Sequence, residues 1–391
     1  MNAVNIEDLR RLAKTQLPRA VFEFVDGAAH DELTLAANRR DFEQIWFAPR
    51  VLVDVGERSQ AVRVLGQDYA SPFVFGPTGL AGVLWPHGDL ATARATAKAG
   101  VGYCLSTNSN ASIEEVAAQG RQDFWFQLYV QRDRGMARSL VDRARAAGCP
   151  VLCVTVDLPV QGPRERDERN GFTVPPRLGL DNVFDYAKRL GWLWRMATGP
   201  RIRFGNLDGQ GAPKSSLTTV AQHIGKQFDP TVSWKEIDWL RGMWDGPLAV
   251  KGILHPDDAR LAVQHGVDAV IVSNHGGRQL DGAPSAISAL PGIVDAVDGQ
   301  AEVLVDGGIR RGADIVKALA LGARACLLGR AALYGLAANG EAGVSRAIEI
   351  LRKEIDITLT LLGRPDIATL NRSALRPGAE AAFWRSLDRA G

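Results

Sequence analysis

Eight short apolar runs, each ending in polar residues or glycine, constrain the fold of this sequence most. They are PFVFGP from Pro72, VGYCLST from Val101, FWFQLYV from Phe124, VLCVTVD from Val151, PLAVKGI from Pro247, DAVIVSNH from Asp268, AEVLVDGG from Ala301 and ACLLGR from Ala325. Apolar runs without polar alternation describe strands buried on both faces. Between most of them lies a stretch with apolar residues three and four apart, such as DLATARATAKAG from Asp89 or GADIVKALALGA from Gly312. Many of these stretches end in glycine, the usual helix stop. Strands alternating with helices predict a parallel sheet covered by helices. Eight such units over roughly 250 residues predict a closed (β/α)8 TIM barrel in preference to an open doubly wound sheet. No GxGxxG follows the first strand, which also argues against the open sheet.

One spacing breaks the series. The gap from Val151 to Pro247 is too long for one loop and one helix, so an insertion of about residues 175–229 is expected after strand four. Residues 1 to about 70 are expected as a helical N-terminal extension, and the tail after Arg330 as a long amphipathic helix. The 391 residues then form a single domain. A net charge of +2 gives no reason to expect nucleic acid as a partner. The N-terminus lacks an apolar core of signal-peptide length and no run of apolar residues is long enough to span a bilayer, so a cytoplasmic protein is expected. Cys104, Cys149, Cys153 and Cys326 have no zinc-like spacing with histidine and read as buried reduced thiols; no metal site is expected.

In such a barrel the chemistry gathers at the carboxyl ends of the strands. Strand one exits through Pro77, Thr78 and Gly79, strand two through Ser106, and strand three carries Gln127 and Tyr129. Strand four carries Thr155 and Asp157, with Arg164 just beyond. Strand five holds Lys251, and strand six gives Ser273, His275 and Arg278. The last two strands end in Asp306-Gly307-Gly308-Ile309-Arg310 and Gly329-Arg330. Backbone N–H groups freed by these glycines suit a phosphate. A lysine in an apolar strand calls for an anion or an electron-rich ring. Together these features point to flavin mononucleotide (FMN). His275 is then placed as a base, Asp157 as the carboxylate that fixes its tautomer, and Arg278 and Arg164 as a bidentate clamp for a carboxylate substrate beside Tyr129.

The motifs SNHGGRQLDG (Ser273 to Gly282), TVDLPVQGPRERDERNGF (Thr155 to Phe172), FWFQLYV, VKGIL, VDGGIRRGADIVKALALGA and LLGRAALYGLA resemble the FMN-dependent 2-hydroxy-acid dehydrogenase and oxidase family over nearly the whole chain. The resemblance implies oxidation of (S)-2-hydroxy acids to 2-oxo acids. It implies His275 as base with Asp157 its partner, and Arg278, Arg164 and Tyr129 on the substrate. Lys251 would stabilise the reduced flavin. Pro77, Thr78, Gly79, Ser106, Gln127, Thr155 and Ser273 would contact the flavin, and Asp306 to Arg310 with Gly329 and Arg330 would hold its phosphate. A tetrameric homo-oligomer and a quinone or other electron acceptor are implied too. PTGLAGVLWPHGDLATARATAKAG and RERD are similar to the (S)-mandelate dehydrogenase branch, whereas GKQFDPTVSWKEIDWLRGMWDGPLAVKGIL is similar to the respiratory L-lactate dehydrogenases.

Phe24, in LPRAVFEF, departs from the family pattern, which usually has a tyrosine there bound to the substrate carboxylate. Its loss removes a hydrogen bond of about 0.5–3 kcal/mol and makes the wall more apolar, which favours (S)-mandelate or a related aromatic acid over L-lactate. A quinone-linked L-lactate dehydrogenase or an oxygen-using 2-hydroxy-acid oxidase is the alternative activity; the resembling oxidases typically carry alanine where this chain has Gly79. A non-catalytic flavin-binding barrel leaves the His-Asp-Arg set unexplained. Within residues 183–216, Leu190, Trp192, Leu193 and Trp194 flanked by Lys188, Arg189 and Arg195 are expected to form a peripheral contact with the inner face of the cell membrane.

Overall fold

The computed structural model describes residues 2–120, 123–173, 183–207 and 228–378. All eight apolar runs become parallel strands of one closed barrel: β1 (Phe73–Phe75), β2 (Gly102–Ser106), β3 (Trp125–Tyr129), β4 (Leu152–Thr155), β5 (Leu248–Ile253), β6 (Ala269–Val272), β7 (Glu302–Val305) and β8 (Ala325–Leu328). β8 closes on β1, with Leu327 opposite Val74.

Alternation along each strand sorts the side chains into two shells. Phe73, Phe75, Leu105, Phe126, Leu128, Leu152, Val154, Val250, Val270 and Val305 point outward into the layer beneath the helices. Cys104, Trp125, Cys153, Ala249, Ile271, Leu304 and Leu327 point inward and fill the barrel's lower half. Two residues further along the same strands, the inward positions are Ser106, Gln127, Thr155, Lys251, Ser273, Asp306 and Gly329. The apolar floor therefore gives way to a polar layer within one repeat of the strand pleat.

The N-terminal extension is helical only in part. Helices α1 (Ile6–Gln16), α2 (Arg19–Asp26) and α3 (Leu33–Glu43) are followed by short strands at Ile45–Phe47, Val62–Val64 and Gln67–Tyr69. The last two form a hairpin turned by Leu65 (φ 47°) and Gly66 (φ 79°), a turn that requires positive φ at both central residues. Val64, Leu65 and Tyr69 plug the base of the barrel, where the Trp125 indole donates to the Tyr69 hydroxyl at 2.9 Å. The alternation in VRV and the Leu-Gly turn carry this hairpin in the sequence, and they override the helical expectation.

Helix α4 (Gly88–Lys98) follows β1. The insertion contributes α5 (Leu190–Thr198), and its expected stretches 175–182 and 208–227 lie outside the described residues. The C-terminal helix α6 (Arg330–Leu362) is broken at Asn339 and Gly340, where a Cβ on Gly340 would lie 2.5 Å from the Trp85 indole. It is buried nearly all round before the break and amphipathic after it, as expected, with Val344, Ala347, Leu351, Ile355 and Leu359 buried and Glu349 and Lys353 exposed, and the chain returns through Leu375–Pro377 to pair with Ile45–Phe47. All four cysteines are free and buried. Among the described residues no helix is long and apolar enough to cross a membrane, and no cluster of metal-ligating side chains occurs.

Asp89, in the first turn of α4, ties that helix to the loop after β2 by accepting the N–H groups of Asn110 and Ala111 (2.8 and 3.2 Å). Burial pushes its carboxyl up to about 6 from 3.8, against those hydrogen bonds. The native state thus holds this proton more tightly than the unfolded chain, so its contribution to stability falls as pH rises between 3.8 and about 6. Asp89→Asn keeps a carbonyl oxygen for both N–H groups and should remove that slope. Thermal melts at about pH 4 and about pH 8 should show the variant gaining on wild type at the higher pH.

Candidate active site

The strand exits converge at the barrel mouth as their register dictates. Ser106 lies beside Gln127, Tyr129 beside Thr155, and Thr155 beside Lys251. His275 follows β6 in a left-handed conformation (φ 56°), held by its own N–H on the Ser273 hydroxyl at 3.0 Å. Such a backbone is strained for a residue with a Cβ. It turns Nδ1 to Asp157 Oδ1 at 2.8 Å, which leaves Nε2 as the free ring nitrogen. Burial pushes the Asp157 carboxyl up, but His275 and Lys251 outweigh it and hold it below its ordinary value. The carboxylate is therefore ionised and accepts from Nδ1–H.

Asp157 owes its position to a glycine. At Gly252 (φ 115°) an added Cβ would stand 2.6 Å from the Asp157 Cβ, so β5 passes beneath the carboxylate only without a side chain. The VKGI run contained this signal, but sequence reading did not assign it.

Lys251, 4% exposed, donates to Ser273 Oγ at 2.7 Å and pairs with Asp306 Oδ2 at 2.9 Å. Burial works against its charge, yet Asp306 and Asp157 keep it above the ordinary lysine range. Near it are buried polar atoms with no protein partner: Gln127 Nε2, Thr155 Oγ1, Asn108 Oδ1 and Asp306 Oδ1. Unpaired buried donors and acceptors cost about 1–3 kcal/mol each, and this mixed set matches the edge of a flavin ring. Gly79 lies against Asn108, and Thr78 reaches the vicinity of Gly329.

The loop expected to hold the phosphate packs against α3. Gly307 and Gly308 have φ of 91° and 79°, and a Cβ on Gly308 would fall 1.9 Å from the Asn38 carbonyl oxygen. Arg39 donates to the Gly308 carbonyl and to Asp314 Oδ2, the second at 2.8 Å. Neither Asn38 nor Arg39 was expected at the site; their partners lie some 270 residues away and leave no local pattern. The Arg310 guanidinium lies over the Tyr334 ring at 5.4 Å. The Arg330 guanidinium donates to the carbonyls of Val25, Gly276 and Gly27 at 2.8–2.9 Å. Gly329 and Arg330 also bring the N-terminus of α6 to this end, where backbone N–H groups could meet an anion.

On the substrate side, Arg278 donates to the carbonyls of Phe24 and Gly27 (2.8 and 3.0 Å) and lies over the Phe24 ring at 5.2 Å. Burial and then the charges of Arg164 and Arg330 push it well below the ordinary arginine range. Arg164 carries a buried Nε with no partner. Burial and then Asp157 push the Tyr129 phenol up to about 12, so it remains a donor. Phe24 stacks on Phe172 with ring centroids 4.5 Å apart and planes 11° from parallel, a neighbour that the sequence did not reveal.

A barrel with a flavin-matched polar layer, a His–Asp couple and buried guanidiniums defines a flavin-dependent oxidoreductase of carboxylate substrates. Residues 13–377 match the FMN-dependent dehydrogenase family, and the chain belongs to it. It is 45% identical over 377 residues to an L-lactate oxidase of Nostoc sp. (95% of this chain, 98% of that one). It is 42% identical over 376 residues to an L-lactate dehydrogenase of Chromohalobacter salexigens (96% of each chain). The solved structure of monotopic membrane protein (S)-mandelate dehydrogenase superposes with a TM-score of 0.93 at 44% identity, covering 96% of this chain and 100% of that one. The protein is an FMN-dependent enzyme that oxidises 2-hydroxy acids.

Gly252→Ala should displace Asp157 without touching the flavin loops. Anaerobic stopped-flow should show flavin reduction slowed by about 10²-fold, the usual cost of misplacing a catalytic group by about 1 Å, with flavin content unchanged.

Proposed function

We propose that His275 is the base of the reaction, and that the chain is a dehydrogenase of (S)-2-hydroxy acids with aromatic side chains. The carrying observation is the His275–Asp157 contact of 2.8 Å beside the buried Arg278. Oxidation removes two electrons and two protons from the substrate, and FMN, when bound, supplies the two-electron acceptor. The substrate carboxylate lies between Arg278 and Arg164, whose mutual repulsion it relieves. Tyr129 donates to the substrate. His275 takes a proton at Nε2, and the imidazolium so formed is stabilised by the ionised Asp157. Lys251, a fixed cation in the polar layer, favours the more negative reduced flavin, while Ser106, Gln127, Thr155 and Ser273 satisfy the ring's edge. Gly307, Gly308, Arg310 and the start of α6 take the phosphate. His275→Ala should remain yellow and lose anaerobic reduction by roughly 10²–10⁴-fold; near wild-type reduction would remove His275 from this role.

Substrate preference follows from Phe24 and Phe172. Their stack presents an apolar wall next to the guanidinium expected to hold the carboxylate. A phenyl ring gains contact there at about 25 cal/mol per Å² of apolar area and a methyl group gains little. A restored tyrosine hydroxyl would help any 2-hydroxy acid through the shared carboxylate. Phe24→Tyr should therefore narrow the ratio of kcat/KM for (S)-mandelate over L-lactate; a wild-type preference for lactate, or a wider ratio in the variant, contradicts this reading.

The electron acceptor we favour is a quinone rather than oxygen, on the support of Gly79. The exposed Val51, Leu52 and Leu361 are read as contacts between copies of the chain in a homo-oligomer. Peripheral binding to a membrane is supported by Phe184, Leu190 and Trp194, 71–78% exposed. Trp192 does not share in it: its indole is buried, donates to the Val83 carbonyl at 2.9 Å and packs on Tyr186. Leu193 likewise packs against the core.

A further inference from the structure

Tyr129, which meets the substrate in the proposed reading, is the last residue of β3. Its backbone N–H donates to the Thr107 hydroxyl at 3.3 Å, but its own hydroxyl is hydrogen-bonded to none of the described residues. On one side of it lies a cavity of about 250 Å³, whose walls include Tyr129, Leu158, Phe228, Val232 and Ile237. A ring that borders a void lacks contact atoms there, so that side leaves its rotamer unselected. A donor aimed at one atom of a substrate needs the selection, because misplacement by about 1 Å can cost about 10²-fold in rate.

Phe228 supplies it. The two rings meet edge to face, with centroids 5.8 Å apart and planes at 85°, the arrangement that ring quadrupoles favour. Phe228 is in turn fastened to the residues that follow Tyr129 in the chain. It pairs with Gln131 in an antiparallel bridge, and its carbonyl accepts from Arg132 Nε at 3.1 Å. Asp229 pairs with Arg134 at 2.8 Å, and Arg134 also reaches Glu236 at 3.2 Å. Asp229 further accepts from the Thr231 N–H and hydroxyl (3.0 and 2.7 Å), which shapes the turn that follows Phe228. One stretch, Tyr129 to Arg134, therefore carries both the phenol and the polar anchors that hold a second ring against it.

We propose that Phe228 is a positioning residue of the oxidation: its edge-to-face contact sets the direction of the Tyr129 phenol, so that the return of the insertion completes the substrate site. Phe228 acts through Tyr129, and the proposal rests on the reading that Tyr129 donates to the substrate.

The test is a double-mutant cycle on the full-length holoenzyme, read as kcat/KM in dye-coupled oxidation of (S)-mandelate and of L-lactate. Phe228→Ala should lower kcat/KM by about tenfold, the upper end of what an edge-to-face contact is worth. Phe228→Tyr keeps the ring and should stay near the wild-type level. In a Tyr129→Phe background, Phe228→Ala should cost no more than about twofold, because the donor it directs is gone. Its cost in melting temperature should be alike in both backgrounds, since the ring contact survives the loss of the hydroxyl. Equal kinetic losses in both backgrounds overturn the positioning role and leave the Tyr129 reading standing. So does a Phe228→Ala enzyme at the wild-type level when Tyr129→Phe is impaired. A Tyr129→Phe enzyme at wild-type kcat/KM removes Tyr129 from the substrate, and both readings fall. Should Phe228→Ala not fold, Phe228→Leu, which keeps apolar bulk without the ring edge, runs the same cycle.

Discussion

The site depends on holding guanidinium groups where they lose water and repel one another. Arg278 and Arg330 are both pushed below their ordinary range by burial, and Arg278 is pushed further by Arg164 and Arg330. An unpaired buried charge costs several kcal/mol. The offset comes from the end of α2. A helix leaves its last carbonyls unsatisfied, and they carry the negative end of its dipole. The carbonyls of Phe24, Val25 and Gly27 accept from Arg278 and Arg330, so an orphaned helix end and two buried cations satisfy each other. Asp26, at the same helix end, accepts from Arg10 and from the Tyr334 hydroxyl, which anchors α2 to α1 and α6. The N-terminal extension is thus part of the site.

The same clamp reaches His275. Arg330 also donates to the Gly276 carbonyl, in the turn where His275 is held at positive φ. A left-handed histidine persists only where its surroundings over-determine it. Ser273 below, Asp157 at the ring and Arg330 behind supply three such constraints. The carbonyls use only part of each guanidinium's donor capacity, so Arg278 remains able to meet a carboxylate. In the proposed reading a substrate carboxylate there would lower the repulsion with Arg164 and tie affinity to the electrostatic strain already present.

The barrel was legible because its strands are short, continuous and apolar, and because helices of matching period separate them. His275, Asp157, Lys251 and Tyr129 were legible because each stands at a strand exit, where a polar residue after an apolar run has no place in a core. The missed features share one property: each is a relation between distant segments. Arg39 meets Gly308, Phe172 meets Phe24, and Gly252 makes room for Asp157. The carbonyl partners of Arg330 were illegible for the same reason, since they come from two other segments. In the insertion, Trp192 and Trp194 look alike in a window of composition. Their two-residue separation places them on different sides of α5, one in the core and one in solvent.

The insertion leaves the barrel after β4 but is fastened to the exits of β1 and β2. Trp192 of α5 donates to Val83, a few residues past the Pro77–Gly79 loop. Asn206 donates to the Ser106 carbonyl and the Ser109 hydroxyl and accepts from the Ile113 N–H, and Gly205 donates to the Ser109 carbonyl. Asn110 closes the seam, accepting from Gly82 and donating to the Arg203 carbonyl. The segment that presents exposed Trp194 therefore shares a wall with Ser106 and Asn108 on the flavin side of the barrel mouth. An insertion attached only at its own strand ends could swing with any surface it touched. Fastened across two further strand exits, its outer face keeps a fixed orientation to the barrel mouth.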